Sequence, residues 1–513
     1  MTDAPFDLIV VGGGIHGTGI ARDAARRGLR VVLVEKDDLA SGTSSASSKL
    51  AHGGLRYLET FQFGLVREAL RERSTLMQIA PHLVRPLPFL AVFGPGARWT
   101  PWQLRLGTGV YDLLAGGHRI EWSRRLDRAA TLEAEPVLDR PHIEGAVRYH
   151  DAQVDDARLC VENAIDAAAR GASILTRTRV DELLFDDGAV HGVVTVDREG
   201  RRTALESQVV VNAAGPWFDT IAGAQPLAHP SRVRLSRGTH VVVPPVTRGH
   251  ALLLTDENGR VFFVLPWKGR SLIGTTEIDH TAGPDAVEPT EDEIASLLRS
   301  ANAHLAGPPL QREQVLHAFA GVRALPPAEE SDPGRIPRHA EIREDAPGLL
   351  GVFGGKYTTF RSVSERVVDA AERRIRGSNT PCTTATHTLP GGDSFSMNDY
   401  FAVAEDVLLE RYPDLDVEIL RYLVGTYGTR HTHILARVEE DPTSARRIEE
   451  GLPFTLAEVE HQVATEFARG VDDLVERRSY RATLGTFDDT ARARWRDALE
   501  RACKRTGIKP DPA

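Results

Sequence analysis

DLIVVGGGIHGTGIARDAARRGLRVVLVEK, residues 7 to 36, decides the fold. Asp7 to Val11 reads as a buried strand, Ile20 to Arg27 as a helix and Arg30 to Val34 as a second strand, with a glycine turn after the first. In that turn Gly12 permits a tight bend, Gly14 lets a pyrophosphate approach the backbone, and Gly17 lets the helix lie close to the strand. The helix N-terminus, rich in free amides, then faces the phosphates. Glu35 falls 18 residues after Gly17, at the end of the second strand, where a carboxylate can accept hydrogen bonds from an adenosine ribose. Strand, turn, helix, spacing and acid agree on a dinucleotide-binding unit.

The next stretch, SGTSSASSKLAHGGLRYLE (residues 41 to 59), favours FAD over NAD. Ser44, Ser45 and Ser48 can donate to pyrophosphate and ribitol oxygens, and Gly53 and Gly54 let the main chain lie against an isoalloxazine. A solvated serine loop is the plainer reading of the same composition. The 513 residues suggest about three domains at ~150 residues each. A net charge of −10 gives no global basic field, so nucleic acid is not an expected partner and any anion site is local. Cys160, Cys382 and Cys503 are scattered without a CxxC, which argues against a zinc or disulfide framework. No metal is expected. His431 and His433 form an HxH pair that reads as solvated histidines. Met1 to Pro5 has no basic n-region, so the expectation is an intracellular protein without a cleaved leader, and no run of 18 apolar residues spans a membrane.

Between Arg85 and Arg125, Phe89, Phe93, Trp99, Trp102, Leu104, Leu106, Tyr111 and Leu113 alternate with Arg98, Arg105, Arg119 and Arg124. That mixture suits a lipid headgroup zone, and equally a subdomain core with a solvated arginine rim. Asp156 to Arg170 reads as an amphipathic helix with Leu159, Ala164, Ile165 and Ala168 on one face, followed by a strand at Ser173 to Thr176. Residues 191 to 217 have the pattern of an antiparallel meander turning at Glu199 and Gly200, then a buried strand entering Ala213, Ala214 and Gly215. Ser231 to Gly321 is rich in strand patterns and reads as a separate antiparallel sheet, the substrate domain. A strand at Leu349 to Phe353 leads into GGKYTTF, where Gly354, Gly355, Lys356, Thr358 and Thr359 form an anion-friendly helix start or a simple cap. Beyond a linker at residues 389 to 394, segments at 398–411, 417–427, 456–477 and 489–504 have helical periodicity.

The expected fold class is therefore α/β: a Rossmann-like FAD-binding domain, an antiparallel-sheet substrate domain and a helical C-terminal domain. The FAD-binding domain is assigned residues 1–80, 149–225 and 321–385. A substrate or membrane-facing segment takes 81–148, the sheet domain 226–320 and the helical domain 390–513.

In chain order, GGGIHGTGIARDAARRGL, TSSASSKLAHGGLRYLE, DDARL, NAAGPW, RGTHVVVP, IGTTE, GVR and FGGKYTTF resemble the FAD-dependent glycerol-3-phosphate dehydrogenases. The resemblance runs from about Asp7 into the C-terminal region, where it is looser. It implies oxidation of sn-glycerol 3-phosphate to dihydroxyacetone phosphate, electrons passed to a membrane quinone, and a peripheral location on the cytoplasmic face of the cell membrane. The lipid-surface reading of residues 85 to 125 follows by analogy. A homodimer is compatible with this resemblance.

Carried over by motif, the cofactor contacts fall on Gly12, Gly14, Ile15, His16 and Gly17, on Glu35 and Lys36, and on Thr43, Ser44, Ser45, Ser48, Lys49, Gly53 and Gly54. They continue on Val180, Ala214, Gly215, Trp217, Gly274, Thr275, Gly321 and Arg323, and on Gly355, Lys356, Tyr357 and Thr358. Arg56, Arg323, Arg338 and Lys356 would bind the substrate, with Tyr57 and His240 nearby. The chain departs from the family pattern at Ala324, where a proline usually follows the arginine, at IPRHAEI around Arg338, and at His16. Guanidinium groups bind a phosphomonoester in bidentate fashion, so one substrate end is fixed while C2 faces flavin N5 for hydride transfer. Catalytic roles go to Arg323 and Lys356 as charge stabilisers, with His240 first and Tyr57 second as the base. Two alternatives stay open. One is a flavin oxidase of glycerol 3-phosphate, or of a related 2-hydroxy acid or amine, using oxygen. The other is a flavin-binding scaffold without turnover.

Overall fold

The computed structural model describes residues 5–222, 233–327, 336, 339–393 and 397–511. The first strand, β1 (Phe6–Val11), pairs in parallel with β2 (Val31–Val34) on one side and with Arg202–Asn212 on the other. Leu349–Gly354 and Ser173–Leu175 extend the parallel core at its two ends. Both faces of this sheet are covered, which is why β1 is apolar without alternation from Leu8 to Val11. Leu8 and Val10 pack against three helices, through Ile20 and Ala24 of α1 (Ile15–Arg26), Val161 and Ala164, and Val363 and Val367. Ile9 and Val11 point the other way, into the meander residues Val180, Leu183, Val190 and Val193.

Helix α1 begins at Ile15, five residues earlier than its sequence suggests. The glycines that weaken helix propensity there are needed for close packing. A Cβ on Gly17 would lie 1.8 Å from the Gly12 carbonyl oxygen, and one on Gly19 would lie 2.6 Å from Ser364 Oγ. The meander forms as expected, Ala189–Asp197 pairing antiparallel with the first half of Arg202–Asn212, whose second half enters the parallel core.

Among the described residues the second sheet has ten strands, and it draws on much more of the chain than residues 226–320. Val84–Phe93 and Gly145–Val154 pair over ten positions, and Val84–Phe93 joins Ala251–Thr255 in parallel, the one parallel pairing of this sheet among the described residues. Segment 81–148 therefore supplies sheet strands, because Phe89, Ala91 and Phe93 find their core partners in Leu253, Leu265 and Trp267. The 320/321 boundary falls inside the strand His317–Leu325, which pairs with Arg234–Val243 through nine positions, from His317 opposite Val242 to Leu325 opposite Arg234.

The C-terminal part is helical, with Met397–Arg411, Val417–Tyr427, His431–Glu440, Leu456–Thr465 and Asp489–Thr506. The helix expected over 456–477 stops at Thr465, and a separate π-helical turn, Asp473–Arg478, follows. His431 is buried, its Nδ1 2.7 Å from the Gly428 carbonyl, while His433 is exposed as expected. Among the described residues no cluster of metal-ligating side chains occurs and no helix is long and apolar enough to cross a membrane.

Candidate active site

One long cavity runs from the glycine turn, between the two sheets, to the strand His317–Leu325. At its nucleotide end Gly14 caps α1 in an extended conformation, and Ile15 N–H donates to Ser44 Oγ at 2.9 Å. Glu35 lies at the wall, held by Gly13 N–H at 2.6 Å and Asp37 N–H at 2.8 Å, and burial raises its carboxyl above the usual range. The Lys36 ammonium stands 4.5 Å over the Trp217 ring at the same end.

His16 lines the cavity, and its buried Nε2 has no hydrogen-bond partner. Burial, reinforced by Arg366, lowers its pKa to about 4, so the ring is neutral. The wall is also a backbone cradle: a Cβ on Gly14 would come 3.1 Å from Ser44 Oγ, and one on Gly355 would come 3.3 Å from His16 Cε1. An orphaned imidazole, a helix N-terminus, an acid on the second strand and a hydroxyl-rich loop fit FAD.

The cationic end is built by convergence of distant segments. The left-handed Gly54 (φ +82°) turns the chain into a short 3-10 helix, Leu55–Leu58, which carries Arg56 and Tyr57. Arg56 and Arg323 lie 3.9 and 4.0 Å from the two oxygens of Glu277, which is in the same wall. Gly238 makes room for Arg323, since a Cβ there would sit 2.7 Å from its guanidinium, and Arg323 donates to Thr275 Oγ1 at 3.4 Å. Lys356 donates to the Gly53 carbonyl at 2.9 Å and lies 3.8 Å above the Tyr57 ring.

Most of the expected residues reach the cavity, and six do not: Gly17, Ser45, Lys49, Gly53, Gly274 and His240. Gly17 and Gly53 act from behind the wall as packing glycines. Ser45 turns back to the Gly42 carbonyl. Lys49 is buried, its ammonium 2.7 and 2.8 Å from the two Asp156 oxygens, which makes it a structural cation. His240 stacks on Phe319 at 5.0 Å with Nε2 2.8 Å from Ser48 Oγ, so Ser48 stands between it and the cavity, and a Cβ on Gly274 would collide with the ring. Burial next to Arg323 and Lys49 holds His240 neutral, with a pKa well below the ordinary value. Arg338 lies outside the described residues.

Sequence reasoning overlooked His52 and Glu277. His52 lines the cavity, anchored by its N–H donating to Thr358 Oγ1 at 3.0 Å. Burial and the charges of Lys356 and Arg56 lower its pKa to about 3. Both residues stand inside motifs already quoted, KLAHGG and IGTTE; the signal present was a titratable group within a glycine-rich or small-residue segment.

Comparison with known proteins agrees with this geometry. Residues 7–359 match the model of the FAD dependent oxidoreductase family, and residues 382–501 match the C-terminal domain of alpha-glycerophosphate oxidase. The chain is 40% identical to the glycerol-3-phosphate dehydrogenase of Pseudomonas aeruginosa, covering 94% of this chain and 92% of the relative. It is 39% identical to the D-erythritol 1-phosphate dehydrogenase of Brucella abortus, covering 92% and 94%. Among solved structures it is similar to the Bacillus halodurans glycerol-3-phosphate dehydrogenase complexed with FAD, at a TM-score of 0.80 and 30% identity, over 99% of this chain and 92% of that one. The fold and site define an FAD-dependent oxidoreductase, and the chain belongs, within that class, to the glycerol-3-phosphate dehydrogenase family.

Proposed function

We propose that this protein oxidises sn-glycerol 3-phosphate to dihydroxyacetone phosphate and passes the electrons to a membrane quinone at the inner face of the cell membrane. The observation that carries the substrate reading is the cationic end of the cavity, where Arg56, Arg323 and Lys356 converge from three segments. Arginine binds phosphate oxygens in bidentate fashion and lysine adds a point charge, so a phosphate docks here and displaces the weak Glu277 contacts. Bound FAD supplies the two-electron acceptor for the hydride that leaves substrate C2. Arg323 stabilises the negative charge that develops on the C2 oxygen. His52 takes the hydroxyl proton. It is neutral before substrate binds, because burial first and then the charges of Lys356 and Arg56 lower its pKa, and a phosphate dianion that offsets those two charges raises its proton affinity.

The quinone and lipid part of the reading is supported by helix α3 (Pro101–Ala115). Its inner face, with Leu104 and Tyr111, is core, while Trp102 (65% exposed), Leu106 and Leu113 (71% exposed) form an outward stripe. Phe61, 77% exposed, follows Glu59, which accepts hydrogen bonds from Arg98 and from the Trp99 indole just before the helix. Trp99 is thus turned inward, and Trp102 is the residue offered to lipid. Trp102→Ala with Leu113→Ala is expected to abolish sedimentation with anionic liposomes while sparing turnover with a soluble dye; undiminished sedimentation removes the lipid reading.

The Brucella abortus relative favours a second reading, a four-carbon polyol phosphate, with Glu277 able to accept hydrogen bonds from its extra hydroxyls. Anaerobic addition of each compound while the flavin band is watched separates the two. Rapid bleaching by sn-glycerol 3-phosphate alone supports the first reading, and bleaching only by erythritol 1-phosphate supports the second. Persistent colour with both overturns the phosphate assignment. Faster reoxidation by oxygen than by quinone in liposomes makes the protein an oxidase.

A further inference from the structure

We propose that Tyr111, held by Asp151 and Arg73, is a positioning residue for Lys356 and acts through the two peptide groups of Gly53. The inference rests on Lys356 facing the substrate anion. Three elements meet behind Gly53: α2 (Phe63–Ile79) brings Arg73, α3 brings Tyr111, and the strand Gly145–Val154 brings Asp151. All three side chains are buried. Arg73 donates to Asp151 Oδ1 at 2.8 Å and also holds the carbonyls of His150 and His118. The Tyr111 hydroxyl is 2.8 Å from each Asp151 oxygen. Gly53 N–H is 2.8 Å from the same hydroxyl and 3.3 Å from Asp151 Oδ1.

The proton directions follow from the donors available. The Gly53 N–H can only donate, so the Tyr111 oxygen accepts it and gives its own proton to the carboxylate. Burial beside Asp151 pushes the phenol well above its ordinary pKa, which keeps that proton in place. On the far side of Gly53 its carbonyl accepts from Lys356 Nζ at 2.9 Å. One residue thus carries a buried anchor on its N–H and a substrate-facing cation on its C=O. A Cβ at Gly53 would lie 2.5 Å from the Tyr111 oxygen, so the contact is as close as a glycine permits. A buried network of this kind fixes geometry because each partner left unpaired is costly.

The test is calorimetric titration of the FAD holoenzyme with inorganic phosphate, in a cycle of Tyr111→Phe and Lys356→Ala. Tyr111→Phe alone is expected to weaken phosphate binding about tenfold with FAD content unchanged, the loss of roughly one buried hydrogen bond to a charged group. In the Lys356→Ala background the same substitution is expected to change binding by less than about twofold. An equal factor in both backgrounds, or no effect in the native background, overturns the proposal. If Lys356→Ala alone leaves phosphate binding unchanged, the substrate reading of Lys356 falls with it. If Lys356→Ala weakens binding and Tyr111→Phe does not, only the positioning role falls. Should Tyr111→Phe fail to yield folded holoenzyme, Asp151→Asn carries the same cycle.

Discussion

Arginine is used in opposite ways at two places in this molecule. Behind the FAD-binding sheet, where the helix Asp156–Ala169 meets the C-terminal helices, Arg158 is 0% exposed and donates to Glu162 at 2.8 Å and to both Glu466 oxygens at 2.8 and 3.0 Å. Arg430 adds a 2.7 Å bond to Glu162, and Arg478 donates to Asp38 on the FAD-binding side. In the cavity, Arg56 is 33% exposed and Arg323 28%, and their ion pairs with Glu277 are 3.9 and 4.0 Å long. A buried arginine with two near carboxylates is neutralised and becomes part of the fold. Arg56 and Arg323, about a third exposed on the cavity wall, stand where a ligand can reach them. The residue type is the same, and burial in a carboxylate cluster or exposure on the cavity wall separates the two jobs.

The sharpest way to break this contrast is to remove one carboxylate from the buried cluster and one cation from the cavity. Glu466→Gln is expected to cost about 3–5 kcal/mol of stability by leaving the buried Arg158 and Arg430 to share the single carboxylate of Glu162, read as a lower denaturant midpoint. An unchanged midpoint would show that the cluster is not structural. Arg323→Ala is expected to lower kcat about 10²–10³-fold, with FAD content retained and the midpoint moved by less than about 0.5 kcal/mol. Loss of stability in place of turnover would erase the distinction between the two regions.

A pH series sharpens the buried side. Glu458 accepts from Tyr422 and Tyr427 at 2.7 and 2.8 Å, and burial pushes its pKa up to about 7. The folded state therefore holds its proton more tightly than the unfolded chain, and the associated stability, full below the unfolded value near 4.5, is lost as pH rises through 7. Glu458→Gln is expected to remove on the order of 1–3 kcal/mol of that decline, so native and variant midpoints converge at pH 5 and separate at pH 8. Parallel curves would contradict it. The smallest effect concerns Glu277→Gln, which relieves an internal competitor of phosphate and is expected to tighten inorganic phosphate binding about two- to fivefold, the worth of a partly exposed ion pair. Weaker binding in that variant would assign Glu277 a direct substrate contact.

By itself the sequence determined the nucleotide-binding unit, its acid, the hydroxyl-rich loop and the helical C-terminal region. These are local: periodicity, glycine placement and spacing operate within about 30 residues, where the backbone itself enforces them. Tertiary structure decided the rest, because it depended on contacts between distant segments. Ile165 and Ala168 had the apolar character of a buried face, yet they are only partly buried and Arg158 and Glu162 are fully buried, since Glu466 and Arg430 arrive from more than 260 residues away to pair with them. Residues 85 to 125 suited both core and lipid surface, and the ten-stranded sheet divided them, drawing Phe89, Phe93 and Tyr111 inward and leaving Trp102, Leu106 and Leu113 outside. His240 had the right chemistry for a base, and the stacking of Phe319 on a paired strand turned it behind Ser48, while His52, a plain histidine in the sequence, was brought to the wall. A residue's type sets which protons and charges it can offer; only the packing of elements far apart in the chain sets whether a ligand can reach them.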